Sequence, residues 1–412
     1  MPVAASQPLS GPVTVAPEVA ELGVFEPNRE APFHRWVHLT EGFSAKLVTQ
    51  ELAGVSLDTH VYDPFGGTGT TPLVAAELGL RGTWAEVNPY LREAASVKVA
   101  AACATQAERR TVIAELGELL AAGPKPSGRT PHPLTRANSV RDFFDQKTAD
   151  ELLGWVRRFD EADGLTARLG RLAVASCAIG ASNMIRAVDL RRRTPAEQAR
   201  KRRDASEVLR ERVHLMIDDL RSTPTAEGFA ECVSNDAREL PTDMPPVDLV
   251  VTSPPYLNGT NYCRNTKLEL LLLAMIDTED DLKDLRARSV TAGINNVSKR
   301  IRDPASIEAV EAVATQLDEC AYDRRIPTMV RAYFSDMHLV LGATRAVASP
   351  GARFVLDIGD SRFAGVHVDT PGLLCQIAEQ VGWRVEAVEI IRARTARDGN
   401  PLCQKLLRLC SA

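Results

Sequence analysis

The sequence lacks several features that would define other classes of protein. It has no apolar run long enough to span a bilayer and no secretory signal pattern, so we expect a cytoplasmic protein without a membrane partner. Its 8 cysteines are scattered, with no Cys-x-x-Cys pair and no His/Cys cluster at zinc spacing. The sequence therefore predicts neither a metal site nor a disulfide framework, and the thiols are typical of a reducing compartment.

The sequence also has no overall excess of positive charge. Lysine and arginine total 49 against 54 acidic residues, a net charge of −5. A polyanion-binding coat over the whole surface is thus excluded, and any nucleic-acid surface must be local. The 412 residues, 44% of them hydrophobic, are enough for one large or two ordinary domains with a proper core.

A glycine-rich turn follows the short strand that ends at Val61 and Tyr62. Glycines allow a tight turn and close backbone approach, and a helix predicted from Pro72 to Leu78 begins directly afterwards. A strand, a glycine-rich turn and a helix N-terminus together form a cradle for an anion or a nucleotide. The turn matches neither a P-loop nor a strict Gly-x-Gly-x-x-Gly pattern. Its residues are Asp63, Pro64, Phe65, Gly66, Gly67, Thr68, Gly69, Thr70 and Thr71.

An acidic residue, Glu86, ends the next predicted strand, Gly82–Ala85. It lies roughly 20 residues after the glycine-rich turn, the position at which dinucleotide-binding folds hold ribose hydroxyls. We include Asn88, in the same turn, in the predicted cofactor site. The combination of turn, spacing and carboxylate is more specific than the glycine turn alone.

A rigid corner, Thr252-Ser253-Pro254-Pro255-Tyr256, follows the predicted buried strand Val247–Val251. Proline lacks the N–H group and fixes φ, so the chain must leave the sheet here. Ligands of open α/β sheets bind at this carboxyl edge. Alternatively, the stretch is only a proline-rich turn closed by a packed tyrosine.

The remaining pattern predicts a sheet interrupted by helices. Ser44 is placed to cap a helix running to Leu52. Residues 92–230 are rich in Ala, Leu, Arg and Glu, too long for an ordinary crossover. The predicted helices are Ala94–Ala121, Asp150–Phe159, Leu165–Arg186, Pro195–Leu220, Val330–Val347 and Thr370–Val381. The predicted strands are Glu231–Ser234 and Ala352–Ile358, followed by a closing antiparallel pair, Arg384–Arg392 and Leu402–Cys410.

The predicted organisation is an α/β catalytic domain carrying a helical insertion. Residues 1–30 are expected to be a loose lead-in, 31–105 and 231–412 the catalytic domain, and 106–230 the insertion. Residues 257–330 form a second helical region, a candidate for target recognition. The runs Arg191–Arg193 and Arg200–Arg203 are either solvated helix faces or phosphate contacts.

The glycine-rich turn and the Thr252–Tyr256 corner together resemble the DNA amino-methyltransferases. These enzymes transfer a methyl group from S-adenosylmethionine to the exocyclic amine of cytosine or adenine. The resemblance implies a Rossmann-like class I methyltransferase fold, α/β, with a mostly parallel seven-stranded sheet and an antiparallel last strand. The long motifs anchor 63–90, 235–262 and, more loosely, 351–362, with the cofactor half first in the chain.

The resemblance also implies roles for individual residues. The glycine-rich turn would hold the methionine part of the cofactor, and Phe43-Ser44 would close over that end. Glu86 would take the ribose hydroxyls, and Asp236 with Ala237 would lie near the adenine. Ser253, Pro254, Pro255 and Tyr256 match the catalytic motif. The predicted substrate contacts are Tyr256, Asn258, Tyr262, Arg200 and Arg203.

The chemistry of an exocyclic amine explains why such a corner is suitable. The lone pair of the amine is delocalised into the ring, so the site must favour its localised form. The Ser253 hydroxyl and the backbone carbonyl beyond it can accept hydrogen bonds from the amine, and the prolines keep both acceptors fixed. Tyr256 can stack on the base and hold it in line with the methyl group. A duplex base must be flipped out or single-stranded to reach this corner.

Two alternatives to a DNA methyltransferase stay open. One is the same cofactor with an RNA or nucleobase-like acceptor; the other is a cofactor-dependent or DNA-binding regulator without catalysis. Serine in place of an acidic residue or asparagine favours cytosine N4 over adenine N6, by resemblance. A DNA acceptor would suggest a cognate restriction or defence system as partner.

Overall fold

The structure is a computed structural model. It describes residues 15–38, 42–126, 143–186, 190–199, 204–257, 262–297, 307–395 and 399–411. Three predicted substrate residues, Arg200, Arg203 and Asn258, lie outside the described residues. Tyr262 belongs to a described helix, but its side chain is outside the described part.

A seven-stranded sheet forms the centre of the molecule, in the order β10-β11-β7-β6-β1-β2-β5. The pairs β1–β2, β1–β6, β2–β5 and β6–β7 are parallel, whereas β11 is antiparallel to both of its neighbours. The strands are β1 His60–Asp63, β2 Arg81–Ala85, β3 Met184–Arg186, β4 Leu190–Arg192, β5 Phe229–Ser234, β6 Val247–Thr252, β7 Ala348–Gly359, β8 Ser361–Phe363, β9 Val366–Val368, β10 Trp383–Thr395 and β11 Pro401–Ser411.

This strand order is that of a Rossmann-like class I methyltransferase. The order reverses beside β1, so the loops after β1 and β6 open on the same crevice, where open α/β sheets bind ligands. The predicted fold class, a mostly parallel sheet with one antiparallel strand, is confirmed. The predicted closing antiparallel pair is confirmed as β10 and β11, both longer than expected.

Helices cover both faces of the sheet, and short 3₁₀ turns lie at Glu21–Gly23, Glu26–Arg29, His34–Trp36 and Ile294–Asn296. The α-helices are α1 Pro17–Ala20, α2 Ala45–Glu51, α3 Thr70–Glu77, α4 Pro89–Cys103, α5 Gln106–Ala122, α6 Gln146–Phe159, α7 Gly164–Ala181, α8 Pro195–Ala199, α9 Ala205–Ser222, α10 Tyr262–Asn265, α11 Lys267–Leu272, α12 Glu279–Arg288, α13 Glu308–Cys320, α14 Arg325–Val347 and α15 Thr370–Gln380.

Successive side chains of the central strands point to opposite faces of the sheet, and each face packs against its own apolar layer. In β1, Val61 packs with residues of α2 and α3, whereas Tyr62 packs with residues of α14 and α15. Both side chains are fully buried, as expected for a parallel strand covered on both faces. The sheet is therefore a fixed platform, and its carboxyl edge positions the loops that follow.

The helical insertion shares one hydrophobic core with α4 and with the helices after the Thr252–Tyr256 corner. Arg186, at the end of β3 within the insertion, donates to the Asn265 carbonyl at 2.7 Å and pairs with the buried Glu269. The second predicted helical region, 257–330, is divided between two cores. Leu268–Leu273 pack with the insertion. Val290, Ala292, Ile307, Val310 and Leu317 belong instead to the core that contains α14. The insertion and Leu268–Leu273 thus share one core, whereas the later part of this region belongs to another.

Several predicted helix boundaries were wrong. The predicted helix Ala94–Ala121 is two helices, because Thr105 starts α5 with a capping box and so ends the preceding helix. The predicted Leu165–Arg186 helix ends at Ala181, after which the chain forms β3. Residues 15–30, expected to be loose, form α1 and two 3₁₀ turns; Asn28 is buried and its side chain donates to the Phe43 carbonyl at 3.0 Å.

Among the described residues, no helix combines the length and the apolar character needed to cross a membrane.

Candidate active site

A cavity of about 330 Å³ lies at the carboxyl edge of the parallel strands. Its size is at the lower end of the range of small-molecule sites. Eleven predicted cofactor residues and all four predicted catalytic residues line it. These are Phe43, Pro64, Phe65, Gly66, Gly67, Thr68, Thr70, Glu86, Asn88, Asp236, Ala237, Ser253, Pro254, Pro255 and Tyr256. Ser44, Asp63, Gly69 and Thr71, which were also predicted as cofactor residues, do not line it.

The glycine-rich turn depends on its glycines for close packing. A Cβ atom at Gly66 would lie 2.5 Å from Cδ1 of Trp84, a ring held in the core. Gly69 has φ +84°, and a Cβ there would lie 2.7 Å from Cβ of Ala95. Larger residues at either position would push the turn away from the sheet, so the backbone path that lines the cavity requires glycine.

Asp63 lies behind the turn and links the two sequence motifs. Its Oδ1 accepts hydrogen bonds from the Phe65 N–H at 2.9 Å and from the Thr252 hydroxyl at 2.6 Å. The Thr71 hydroxyl adds a second tie, donating to the Val251 carbonyl at 3.0 Å. Burial raises the pKa of Asp63 to about 6. Asp63 and Thr71 therefore hold the cofactor turn and the Thr252–Tyr256 corner together instead of facing a ligand directly.

Glu86 faces the cavity and is held by two backbone N–H groups. Its Oε2 accepts from Gly67 and its Oε1 from Asn88, each at 2.8 Å. Burial nevertheless raises the pKa of Glu86 to about 7. A buried carboxylate with this geometry retains lone pairs that can accept from hydroxyl groups of a ligand.

Asn88 has a structural role in addition to lining the cavity. Its side-chain oxygen caps α4 by accepting from the Tyr90 N–H at 3.1 Å. Its side-chain nitrogen donates to the Thr266 hydroxyl at 2.7 Å. Asn88 thereby joins the turn after β2 to the helical region that follows the catalytic corner.

Asp236 forms the far end of the cavity and is fixed by an arginine that sequence reasoning missed. Arg238 donates from Nε to Asp236 at 2.8 Å and from Nη1 to Asp336 at 2.7 Å. The two carboxylates raise the pKa of the Arg238 guanidinium, whereas its burial acts in the opposite direction. Asp336 lies on α14, a hundred residues away in sequence, so no local pattern could have predicted this cluster.

The N-terminal segment contributes one wall that was not predicted. Gly23, Val24 and Phe25 line the cavity beside Phe43. Ser44 instead caps α2, as predicted, by accepting from the Lys46 N–H at 3.1 Å. The residues before Phe43 thus belong to the site as much as the predicted Phe43-Ser44 pair.

The catalytic corner packs on the end of β7. A Cβ atom at Gly359 would lie 3.4 Å from Cε2 of Tyr256, so the tyrosine ring covers this glycine. Behind it, burial raises the pKa of Asp357 to about 7, while hydrogen bonds from Gln404 and Tyr256 oppose that rise. The Gln404 amide lies 2.9 Å from both Asp357 oxygens and 2.8 Å from the Gly23 carbonyl. Asp357 and Gln404 are positioning residues that sequence reasoning missed.

A buried lysine supports the glycine-rich turn from below. Lys98, on α4, donates to the Thr68 carbonyl at 2.9 Å. Burial lowers its pKa to about 7. The only signal in the sequence is a lysine within an otherwise apolar stretch of helix, which does not identify its partner.

The predicted basic runs lie only partly in the described chain. Arg191 is exposed and pairs with Glu197 through two contacts of 2.9 Å, so its guanidinium already has a carboxylate partner. Arg192 is exposed as well. Neither residue lines the cavity.

Comparisons with known proteins agree with a methyltransferase but do not give a family. No protein-family model matches the chain. The Type II methyltransferases M.AvaI of Nostoc sp. and of Anabaena variabilis are each 23% identical over 428 residues, covering 94% of this chain and 87% of theirs. The Type II methyltransferase M.BsoBI of Geobacillus stearothermophilus is 23% identical over 433 residues, covering 91% of this chain and 83% of M.BsoBI.

Two solved structures also align over most of the chain. One is a SAM-dependent methyltransferase of Methanosarcina mazei, with a TM-score of 0.31, 10% identity and coverage of 87% of this chain and 94% of the other. The second is the rRNA methyltransferase aviRa of Streptomyces viridochromogenes, with a TM-score of 0.28, 11% identity and coverage of 90% and 89%. These scores are too low for either structure to bear on function.

Proposed function

We propose that the protein is an S-adenosylmethionine-dependent methyltransferase that methylates the exocyclic amine of a base in DNA, with cytosine N4 as the preferred position. The observation that carries the proposal is one cavity lined by both the glycine-rich turn with Glu86 and the Ser253–Tyr256 corner. The long alignments with Type II methyltransferases support DNA as the acceptor.

The cofactor half of the cavity fits S-adenosylmethionine. The glycine-rich turn gives a close backbone approach, and the Glu86 carboxylate would accept hydrogen bonds from the ribose hydroxyls. Asp236 and Ala237, which line the cavity, would lie near the adenine. When bound, the cofactor supplies an electrophilic methyl group on a positively charged sulfur.

The acceptor half of the cavity fits a flat base with an exocyclic amine. The Ser253 hydroxyl and the carbonyl of Pro254 would accept hydrogen bonds from the two amine N–H groups. These hydrogen bonds localise the nitrogen lone pair. Tyr256 stacks on the base and is held by Asp357 and Gly359. This preorganisation aligns nucleophile and methyl group without a covalent intermediate on the protein.

The target base must leave its stack to enter this cavity, at an unstacking cost of a few kcal/mol. Either the helical region 106–230 or the helical region 257–330 would read the target. The candidate DNA contacts are Asn258, Tyr262, Arg200 and Arg203. A cognate restriction enzyme is the expected partner of such a protein. Serine at position 253 favours cytosine over adenine by resemblance.

Transfer of labelled methyl groups tests the proposal. Purified protein with labelled S-adenosylmethionine is incubated separately with unmethylated amplified genomic DNA, tRNA and free nucleosides. We expect label on DNA alone, lost in Ser253→Ala and strongly reduced in Tyr256→Ala while cofactor binding persists. Label on tRNA or nucleosides alone would favour the RNA or nucleobase acceptor, and tight cofactor binding without transfer would favour a non-catalytic regulator.

A further inference from the structure

Two arginines on β10, Arg392 and Arg394, line the cavity without any assigned role. Both are exposed. The charge of Arg392 acts on the buried Asp357 carboxylate and opposes the rise in its pKa. We call this pair the arginine rim. Exposed guanidinium groups beside a ligand cavity are available for an anion.

Other arginines on the same hairpin are paired. Arg384, also on β10, contacts Glu386 at 2.8 Å. Arg408, on β11, contacts Glu389 at 2.9 Å and Glu51 at 2.8 Å. Within the described chain, Arg392 differs from these two arginines because its charge acts on the buried Asp357 without a salt-bridge contact.

A β-bulge directs the arginine rim toward the catalytic corner. The register of β10 shifts between Ile390 and Arg392, and the intervening Ile391 is buried in the core. After the shift Arg392 pairs with Gln404, and Gln404 pairs with Gly359. Bulges commonly re-aim side chains in this way beside functional sites.

The strand pairing places the Arg392 guanidinium near the position of a base stacked on Tyr256. Arg392, Gln404 and Gly359 lie side by side across three strands, and the Tyr256 ring covers Gly359. Two inter-strand spacings amount to about 10 Å. An extended arginine at that distance reaches groups one or two nucleotides away from a base stacked on Tyr256.

We propose that the arginine rim binds backbone phosphates of the DNA strand next to the flipped base, which deepens and rests on the proposed methyltransferase function. A guanidinium fork matches phosphate oxygens in geometry and charge. The chain is acidic overall, with a net charge of −5, so a bound strand needs local cations such as these. These contacts anchor the strand but do not select its sequence.

Salt-dependent DNA binding tests the arginine rim. The double variant Arg392→Gln/Arg394→Gln is compared with wild type and with the control Arg384→Gln, an exposed arginine of the same strand. Anisotropy of a fluorescein-labelled 24-nucleotide single strand is measured from about 50 to 200 mM salt, where each lost phosphate contact lowers the slope of log K against log salt by about 0.7. Calorimetry with S-adenosylmethionine and methyl transfer to amplified genomic DNA complete the set.

We expect the slope of the double variant to fall by about 1.4 while cofactor affinity and the Arg384→Gln slope stay at wild-type values. If the wild type methylates DNA but the double variant keeps the wild-type slope, the arginine rim alone is overturned. A variant that loses cofactor affinity but keeps its slope would also overturn it, because the arginines would then bind the cofactor carboxylate. A wild type that neither binds nor methylates DNA would overturn the methyltransferase proposal and the arginine rim with it.

Discussion

The two halves of the cavity differ in the charge they present. The half formed after β1, β2 and β5 faces its ligand with carboxylates, Glu86 and Asp236, each fixed by hydrogen bonds within the chain. The half formed by β6, β7 and β10 presents a serine, a tyrosine and two arginines. This contrast suits a cationic, hydroxyl-bearing cofactor on one side and a polyanion on the other.

The halves also differ in how they are held. Asp63 and Glu86 tie the cofactor half into the buried sheet edge, and burial raises the pKa of both carboxyl groups. The acceptor half rests on prolines and on Asp357 behind Tyr256. Thr252 joins them, since its hydroxyl donates to Asp63 at 2.6 Å. Substitutions in one half should therefore separate binding of the cofactor from transfer of the methyl group.

Removing the tyrosine ring should have the largest effect. We expect Tyr256→Ala to lower kcat on the order of 100-fold, because the base loses its stacking surface and its alignment. Cofactor affinity, measured by calorimetry, should stay within about threefold of wild type, since binding requires the other half. The control is Tyr322→Ala, a tyrosine with 79% exposure, which should leave both quantities unchanged. Loss of cofactor binding in Tyr256→Ala would contradict the separation of the halves.

Removing the charge of Glu86 should weaken cofactor binding. We expect Glu86→Gln to raise the Kd for S-adenosylmethionine by roughly 10-fold to 100-fold, because hydrogen bonds to a charged group contribute about 1.5–3 kcal/mol. Glu118→Gln, on the exposed face of α5, is the matched control. Calorimetric titration measures both, and equal affinities in the two variants would show that the ribose is held elsewhere.

Adding a methyl group to the glycine-rich turn should disturb packing and binding together. In Gly66→Ala the new Cβ would meet Trp84 at 2.5 Å, so we expect a loss of about 1–3 kcal/mol in the free energy of unfolding and weaker cofactor binding. Gly117→Ala, where no atom lies within 4 Å, should be neutral or stabilising. Urea unfolding and calorimetry test both. A Gly66→Ala protein with wild-type affinity would mean that the turn does not approach the cofactor.

Acidification should weaken cofactor binding through Glu86. Its pKa of about 7 means that a falling pH protonates the carboxylate, which then accepts hydroxyl donors poorly. Affinity should therefore rise by about 10-fold from pH 6 to pH 8 and then level off. Glu86→Gln should abolish this rise. Its persistence in the variant would assign the titration to another group.

The raised pKa of Glu86 affects the stability of the free protein in the opposite sense to its effect on cofactor binding. The folded pKa of Glu86 lies above its ordinary value of 4.5, so its contribution to stability is complete below that value. It is lost as the pH rises through about 7. The free protein thus favours protonated Glu86, whereas cofactor binding favours the ionised form.

The sequence predicted the parts of the site that depend on local chemistry. The glycine-rich turn, the Ser253–Tyr256 corner and the position of Glu86 follow from φ restrictions, missing N–H groups and strand spacing. The fold class was predicted from the family resemblance that the glycine-rich turn and the Thr252–Tyr256 corner carry. The break at Thr105 was missed although its capping box is local, because the alanine-rich pattern on both sides is equally helical.

The positioning residues could not be predicted, because their partners are distant in the chain. Arg238 joins Asp236 to Asp336, and Gln404 joins Asp357 to Gly23. Such contacts depend on which strands become neighbours. The strand β11, which carries Gln404, lies antiparallel between β10 and β7. The bulge before Arg392 likewise depends on pairing with β11.

The most direct test of the account is to identify the methylated nucleoside. Amplified genomic DNA is treated with the protein and S-adenosylmethionine, digested to nucleosides and analysed by mass spectrometry, with Ser253→Ala as the inactive control. The account predicts N4-methylcytosine in the wild-type sample alone. N6-methyladenine instead would overturn the preferred base, and the absence of any methylated nucleoside from a protein that binds the cofactor would contradict the central claim.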